Sequence, residues 1–168
     1  RGSTYRLVDE YSIFYHRFIQ PNRKYSPGIW QQLAESQPYK IWAGYAFENL
    51  CHKHIDAIKR ALGIAAVYTE ISGLRVPASD EAPGFQIDLL IDRKDNCINL
   101  CEIKFHNGPF TITKEYYQQL IEKRQRFIGF TGTKKQVFLT FITNHGVSTN
   151  AYAQDIVDAE VRLEQLLE

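Results

Sequence analysis

Residues 85 to 105 read FQIDLLIDRKDNCINLCEIKF, and no other stretch restricts the possible folds as much. Apolar and polar residues alternate on both sides of RKDN, the pattern of a β-hairpin. Gln86, Asp88 and Leu90 then share one face, while Ile87, Leu89 and Ile91 share the other. On the second strand Ile98, Leu100, Glu102 and Lys104 point the same way. A loop with an odd number of residues, such as 93 to 97, sets Asp88 opposite Glu102, Gln86 opposite Lys104 and Leu90 opposite Leu100. A four-residue loop sets Asp88 opposite Cys101 instead.

An apolar sheet face has no use for two acids and a base. Two carboxylates about 4 Å apart repel by roughly 4 kcal/mol at an effective dielectric near 20, so a positive charge has to offset them. Lys104 supplies one such charge. A divalent cation supplies two, and carboxylate oxygens suit Mg²⁺, with Mn²⁺ as its substitute. Lys104 is then placed to orient or deprotonate a water. The plainer alternative is a solvated face with a Glu–Lys pair worth under about 1 kcal/mol. Leu90, Ile98 and Leu100 on the same face favour burial.

Elsewhere the chain predicts helices around this hairpin. LVDEYSIFYHRFI sets Tyr11, Phe14, Tyr15 and Phe18 on one helical stripe with Asp9 as N-cap, and QPNRKYSPG (20 to 28) reads as a linker. The stripe has to pack on this domain, on an upstream part or on a second copy. A long helix is expected from after Pro38 to Leu62, with Ile41, Tyr45, Cys51, Ile55, Ile58 and Leu62 on one arc, Glu48 in its middle and Gly63 at its end. AAVYTEISGLRV reads as a strand closing at Gly73. TITKEYYQQLIEKRQRFIGF reads as a helix with Tyr117, Leu120, Ile121, Arg124 and Ile128 on one side, and KKQVFLTFIT as a further strand. The tail AEVRLEQLLE fits either a strand leading into a helix or a helix throughout. The order αβββαβ predicts an α/β fold with a mixed central sheet flanked by helices.

Composition excludes some classes. The chain has 168 residues with 20 Lys plus Arg against 19 Asp plus Glu, so a polyanion partner needs a local patch. Apolar runs fall far short of a membrane span. Cys51, Cys97 and Cys101 form no CxxC pair and fit reduced thiols, which points to the cytoplasm. Without a methionine, the sequence is expected to be a piece of a longer protein.

Gly84, Gln86, Ile87, Asp88, Glu102, Ile103 and Lys104, with Glu48 upstream on a helix, resemble the signature of the PD-(D/E)XK nuclease superfamily. More narrowly, YRLVDEYSIFYHRFI, WAGYAFENLC, QIDLLIDRKDNCINLCEIKF and FLTFIT resemble the C-terminal nuclease-like domain of prokaryotic AAA-type ATPases. The resemblance spans nearly the whole chain. It implies a restriction-endonuclease-like core over residues 29–168, with residues 1–28 linking it to an ATPase part. It also implies Mg²⁺-dependent phosphodiester hydrolysis, of DNA before RNA. Asp88 and Glu102 would hold the metal with the backbone carbonyl of Ile103, Lys104 would serve the water, and Glu48 would contribute through water. Pro83 departs from the pattern, lying five residues before Asp88 rather than beside it.

The stretch from Lys114 to Lys135 also holds Lys123, Arg124, Arg126 and Lys134, opposed by Glu115 and Glu122. It fits either a phosphate-tracking surface or a solvated helix face. Gln86, Lys114, Tyr117, Gln118 and Arg124 are the candidate nucleic-acid contacts, although Tyr116 and Tyr117 equally suit a core. His52, one turn after Glu48, reads as a core histidine or a neighbour of the site. GFTGTKK lacks phosphate-loop spacing and reads as a turn. Beside the hydrolase stand two other classes: a silent nuclease-fold module that binds nucleic acid, and an interaction domain that oligomerises through residues 1–20.

Overall fold

The structure, a computed structural model, describes residues 9–22, 28–78 and 83–167. The beginning of the aromatic segment, the centre of the 20–28 linker and residues 79–82, in the stretch VPASDEAPG that reads as a loop, lie outside the described residues. The chain divides into two compact units, residues 1–50 and 51–168.

In the first unit, Asp9 caps α1 (Glu10–Phe14) as expected, accepting from the Tyr11 N–H at 3.2 Å. The helix continues as a π turn, Tyr15–Ile19, and a 3-10 turn, Gln20–Asn22. The sequence reading missed α2 (Ile29–Glu35), which precedes α3 (Gln37–Lys53). Phe14 meets Trp30 and Trp42 at 5.2 and 4.8 Å, and Phe18 meets Tyr39 and Trp42 at 5.8 and 5.9 Å. Phe14 and Phe18 of the aromatic stripe thus find cover inside their own unit, while Tyr11 is 67% exposed. The boundary between the two units falls within α3.

The single helix expected to reach Leu62 is broken. α3 stops at Lys53, His54 leaves helical geometry with φ −111° and ψ 34°, and α4 (Ile55–Ala61) follows. The buried face nonetheless differs from the expected one within α3 itself, upstream of the break. Ile41 and Tyr45 are exposed, whereas Ala43, Phe47 and Cys51 are buried at i, i+4 and i+8. Glu48 is half-buried at the edge of that stripe, not at its centre.

The second unit holds the predicted mixed sheet: β1 (Thr69–Val76), β2 (Phe85–Arg93), β3 (Cys97–Lys104), β4 (Gln136–Thr143) and β5 (Ala159–Arg162) in that spatial order. The first two pairings are antiparallel and the last two parallel. Crossovers α5 (Lys114–Thr131) and α6 (Ala151–Ile156) make the parallel pairings possible. The tail resolves as strand then helix, β5 followed by α7 (Leu163–Leu166). Of GFTGTKK, the residues Gly129, Phe130 and Thr131 end α5, and the turn begins at Gly132, the C-cap at φ 62°. A core of Leu90, Ile98, Leu100, Leu120, Phe127, Leu139 and Phe141 lies on the face with α5 and α6. Leu89, Ile91, Cys101 and Ile142 are buried outside that cluster, on alternate positions of the same strands.

The hairpin register is the one an odd loop produces, with Leu90 opposite Leu100 and Leu89 opposite Cys101. Alternation nonetheless fails at one point. Ser72 pairs with Leu90 but Leu74 with Ile87, so Asp88 and Leu89 together oppose Gly73 in a β-bulge. Gly73 therefore lies within β1 and does not close it. Ile87 turns to the Leu90 face, three residues away, rather than the Leu89 face. The extra residue absorbs the difference.

Candidate active site

The bulge releases Asp88 from the ladder, whose pairs with β3 end at Leu89 and Cys101. Its carboxylate Oδ2 accepts the backbone N–H of Ile103 at 3.2 Å instead. Gln86 lies further off, its Nε2 3.5 Å from Asp88 Oδ1. Burial pushes the Asp88 carboxyl up, and the nearby charge of Glu102 pushes it the same way.

Glu102 is 1% exposed. A carboxylate that deep in a sheet needs partners at both oxygens. Oε1 receives the Lys123 ammonium from α5, in close contact. Oε2 receives the Tyr116 hydroxyl at 2.8 Å and the Lys104 ammonium at 3.2 Å. Burial alone would raise its pKa, but the two lysines and the hydrogen bonds outweigh that and hold it below the ordinary carboxylate range. Lys104 also lies over the Tyr116 ring, 5.4 Å from its centroid. Burial, and then the charge of Glu102, push the Tyr116 hydroxyl up, so it remains a protonated donor.

These groups open onto a pocket of about 340 Å³ lined by Gln86, Asp88, Glu102, Lys104, Gln119 and Lys123, with Glu122 and Arg126 at its side. The structure therefore brings together Gln86, Asp88, Glu102 and Lys104 as the sequence pattern predicts, with Ile103 bound to Asp88 through its N–H. Glu48 belongs to the first unit and the others to the second.

The helix contacts need correction. Lys114, Tyr117, Gln118 and Arg124 lie outside the pocket lining; Gln119, Glu122, Lys123 and Arg126 line it, at i, i+3, i+4 and i+7. Tyr117 gives its hydroxyl to Asp155 and packs on Tyr152 at 5.2 Å, towards α6. At 100° per residue, the stripe expected through Tyr117 and Arg124 is the neighbouring face. Ile128, expected on the buried side, is 39% exposed. The basic stretch disperses likewise: Lys135 pairs with Asp92, Arg126 with Glu122 at 3.6 Å, and Lys134 is exposed. His52 is exposed and outside the pocket.

Sequence reasoning missed Tyr116 and Lys123 as site residues. A signal was present. Tyr116, Leu120, Lys123 and Phe127 fall at i, i+4, i+7 and i+11, so Lys123 interrupts an apolar stripe and requires a buried acid.

Among the described residues, no group of three or more His, Cys, Asp or Glu side chains converges into a metal cluster. The donor set at Asp88 and Glu102 still fits a hard divalent ion. It consists of two carboxylates beside an open pocket, and a cationic nitrogen, that of Lys123, already rests against one of them. Among the described residues, no helix is long and apolar enough to cross a membrane.

No family model matches the chain, and no curated protein matches it. Among solved structures it is similar to the crystal structure of a protein of unknown function, AF1548, with 19% identity and a TM-score of 0.47. That match covers 70% of this chain and 64% of the other.

Proposed function

We propose that this chain is a PD-(D/E)XK-type nuclease domain, a cytoplasmic Mg²⁺-dependent hydrolase of phosphodiester bonds in DNA that forms the C-terminal part of an AAA-type ATPase. The observation that carries the reading is the convergence of Asp88, Glu102 and Lys104 on one pocket, with Glu102 buried and the Asp88 carboxyl raised by its charge. A solvated sheet face would leave all three wet and independent.

A divalent ion bound by Asp88 and Glu102, with the Ile103 carbonyl, would polarise a phosphoryl oxygen and lower the pKa of a bound water. Glu102 is fixed for that role by Tyr116, whose hydroxyl bond fixes its rotamer. Asp88 is fixed by the Ile103 N–H. Lys104, anchored by Glu102 and the Tyr116 ring, presents its ammonium at the pocket, where it orients the attacking water and stabilises charge developing on phosphate. Gln86 and Gln119 at the rim supply neutral donors for phosphate oxygens. Glu48 is kept as the helix carboxylate implied by the resemblance.

A second reading, a silent module that binds nucleic acid, draws on a different observation: both oxygens of Glu102 are already held by the chain's own donors. Incubating the protein with DNA, with Mg²⁺ or with EDTA, decides between them. The hydrolase reading expects cutting that EDTA abolishes and that Lys104→Met suppresses while DNA binding persists. DNA binding without cutting by the wild type would establish the silent module.

A further inference from the structure

We propose that Lys123 is the resident counterion of the carboxylate pair: its ammonium holds on Glu102 the place of a divalent cation and must swing away before one binds. The inference rests on reading Asp88 and Glu102 as a metal site.

Lys123 sits where a helix wants an apolar residue, between Leu120 and Phe127 on the buried stripe of α5. An ammonium in that position is costly without an acid, and Glu102 is that acid. Two carboxylates, Asp88 and Glu102, therefore face two ammonium groups, Lys104 and Lys123. The remaining charged pair at the pocket, Glu122 and Arg126, balances itself at 3.6 Å. The pocket is neutral as it stands. A divalent ion added to that balance would leave two positive charges in excess, and each Glu102 oxygen already carries a donor, Lys123 on Oε1 and Tyr116 with Lys104 on Oε2.

One lysine has to leave. Lys104 is held twice, by Glu102 Oε2 and over the Tyr116 ring, and its strand fixes its origin two residues from Glu102. Lys123 reaches Glu102 from across the pocket on a flexible four-carbon stem. Both ammonium groups have a path to water, the Lys123 side chain being 22% and the Lys104 side chain 28% exposed, so what sets Lys104 apart is its second hold over the Tyr116 ring. Once released, it stands at the pocket lining where a substrate phosphate would lie, and it exchanges one anion for another. Cation and polyanion binding are thereby linked through Lys123: each makes the other's displacement of the lysine cheaper.

Calorimetric titration of Mn²⁺ into the full chain tests this, with wild type, Lys123→Met, Lys123→Arg and Asp88→Asn side by side. Lys123→Met is expected to bind Mn²⁺ about tenfold tighter or more, a usual size of coupling between sites. Lys123→Arg should bind like wild type and Asp88→Asn not at all. A short non-cleavable oligonucleotide should tighten Mn²⁺ binding to wild type and lose that effect in Lys123→Met. Unchanged or weaker Mn²⁺ binding by Lys123→Met overturns the inference while Asp88→Asn still marks the metal site. Equal binding by Asp88→Asn and wild type, or binding by none, removes the metal reading and the inference with it. Thermal melts separate a structural role: Lys123→Met should melt lower than wild type in EDTA and regain the loss in Mn²⁺. A loss that Mn²⁺ leaves in place makes Lys123 a packing residue only. Lys123→Gln, which keeps a donor for Glu102 without the charge, serves if the methionine variant does not fold.

Discussion

The two ends of the β2–β3 hairpin carry the same chemical unit in opposite states. At one end Asp92, opposite Ile98, meets the Lys135 ammonium, which also donates to the Arg93 carbonyl at 2.9 Å. At the other end Glu102 meets Lys123 and Lys104. Asp92 is 35% exposed and has one base for one acid, so water screens it and the pair acts as a latch worth up to about 1 kcal/mol. Glu102 is 1% exposed and shares its neighbourhood with Asp88, a second acid that burial and like charge work against. Folding alone needs the first arrangement. The second keeps Asp88 in place against burial and like charge, which supports the proposed site.

That contrast can be broken or sharpened by substitution. The largest effect is expected from Lys104→Met, which should lower phosphodiester hydrolysis by about 10²- to 10⁴-fold, the usual contribution of a positioned proton-transfer group. DNA affinity measured on the same protein should stay within a fewfold; equal losses in both would make Lys104 a binding residue only.

Glu102→Gln leaves Lys123 without its counterion. Removing one partner of a fully buried pair costs about 3–5 kcal/mol, and here about 2 kcal/mol is expected because both lysines can reach water. Denaturant unfolding measures it, and a loss no larger than that of the Asp92 variant would erase the distinction between the two ends.

The same variant reports on acid stability. Glu102 has a lowered folded pKa, so its contribution is present above the unfolded value, about 4.3, and disappears as pH falls through the folded one. Between pH 6 and 3 the wild type should therefore lose more stability than Glu102→Gln.

Asp88 has the reverse sign. Its raised pKa makes its contribution to stability present below the unfolded value and lost as pH rises through the folded one. At neutral pH Asp88→Asn should gain about 1 kcal/mol of stability while losing hydrolysis, the trade expected of a site residue. A destabilised Asp88→Asn would mean that the Ile103 hydrogen bond, not the charge, dominates there. The smallest change belongs to Asp92→Asn, under about 1 kcal/mol and fading in high salt.

Much of this was legible beforehand. The β-branched and alternating runs predicted β2, β3 and β4, and of the two hairpin registers left open the structure shows the one that pairs Leu90 with Leu100. Asp9 was readable as a cap because a side-chain oxygen bonded two residues onward is a local event. The helix faces were less legible. On α3 the stripe through Ala43, Phe47 and Cys51 is buried beside the one expected through Ile41 and Tyr45, and on α5 two adjacent stripes, through Tyr116 and through Tyr117, were both apolar enough to be buried. Periodicity alone does not choose between faces that differ by one step of the wheel.

By itself the sequence determined β2, β3 and β4 and singled out Asp88, Glu102 and Lys104, because alternation and turn chemistry act over a few neighbouring residues. Only the tertiary structure decided that Asp88 sits in a bulge against Gly73, and that Lys123 rather than Arg124 meets Glu102. Both outcomes depend on elements far apart in the chain, where burial makes an unpaired charge so costly that packing selects the one arrangement that satisfies it.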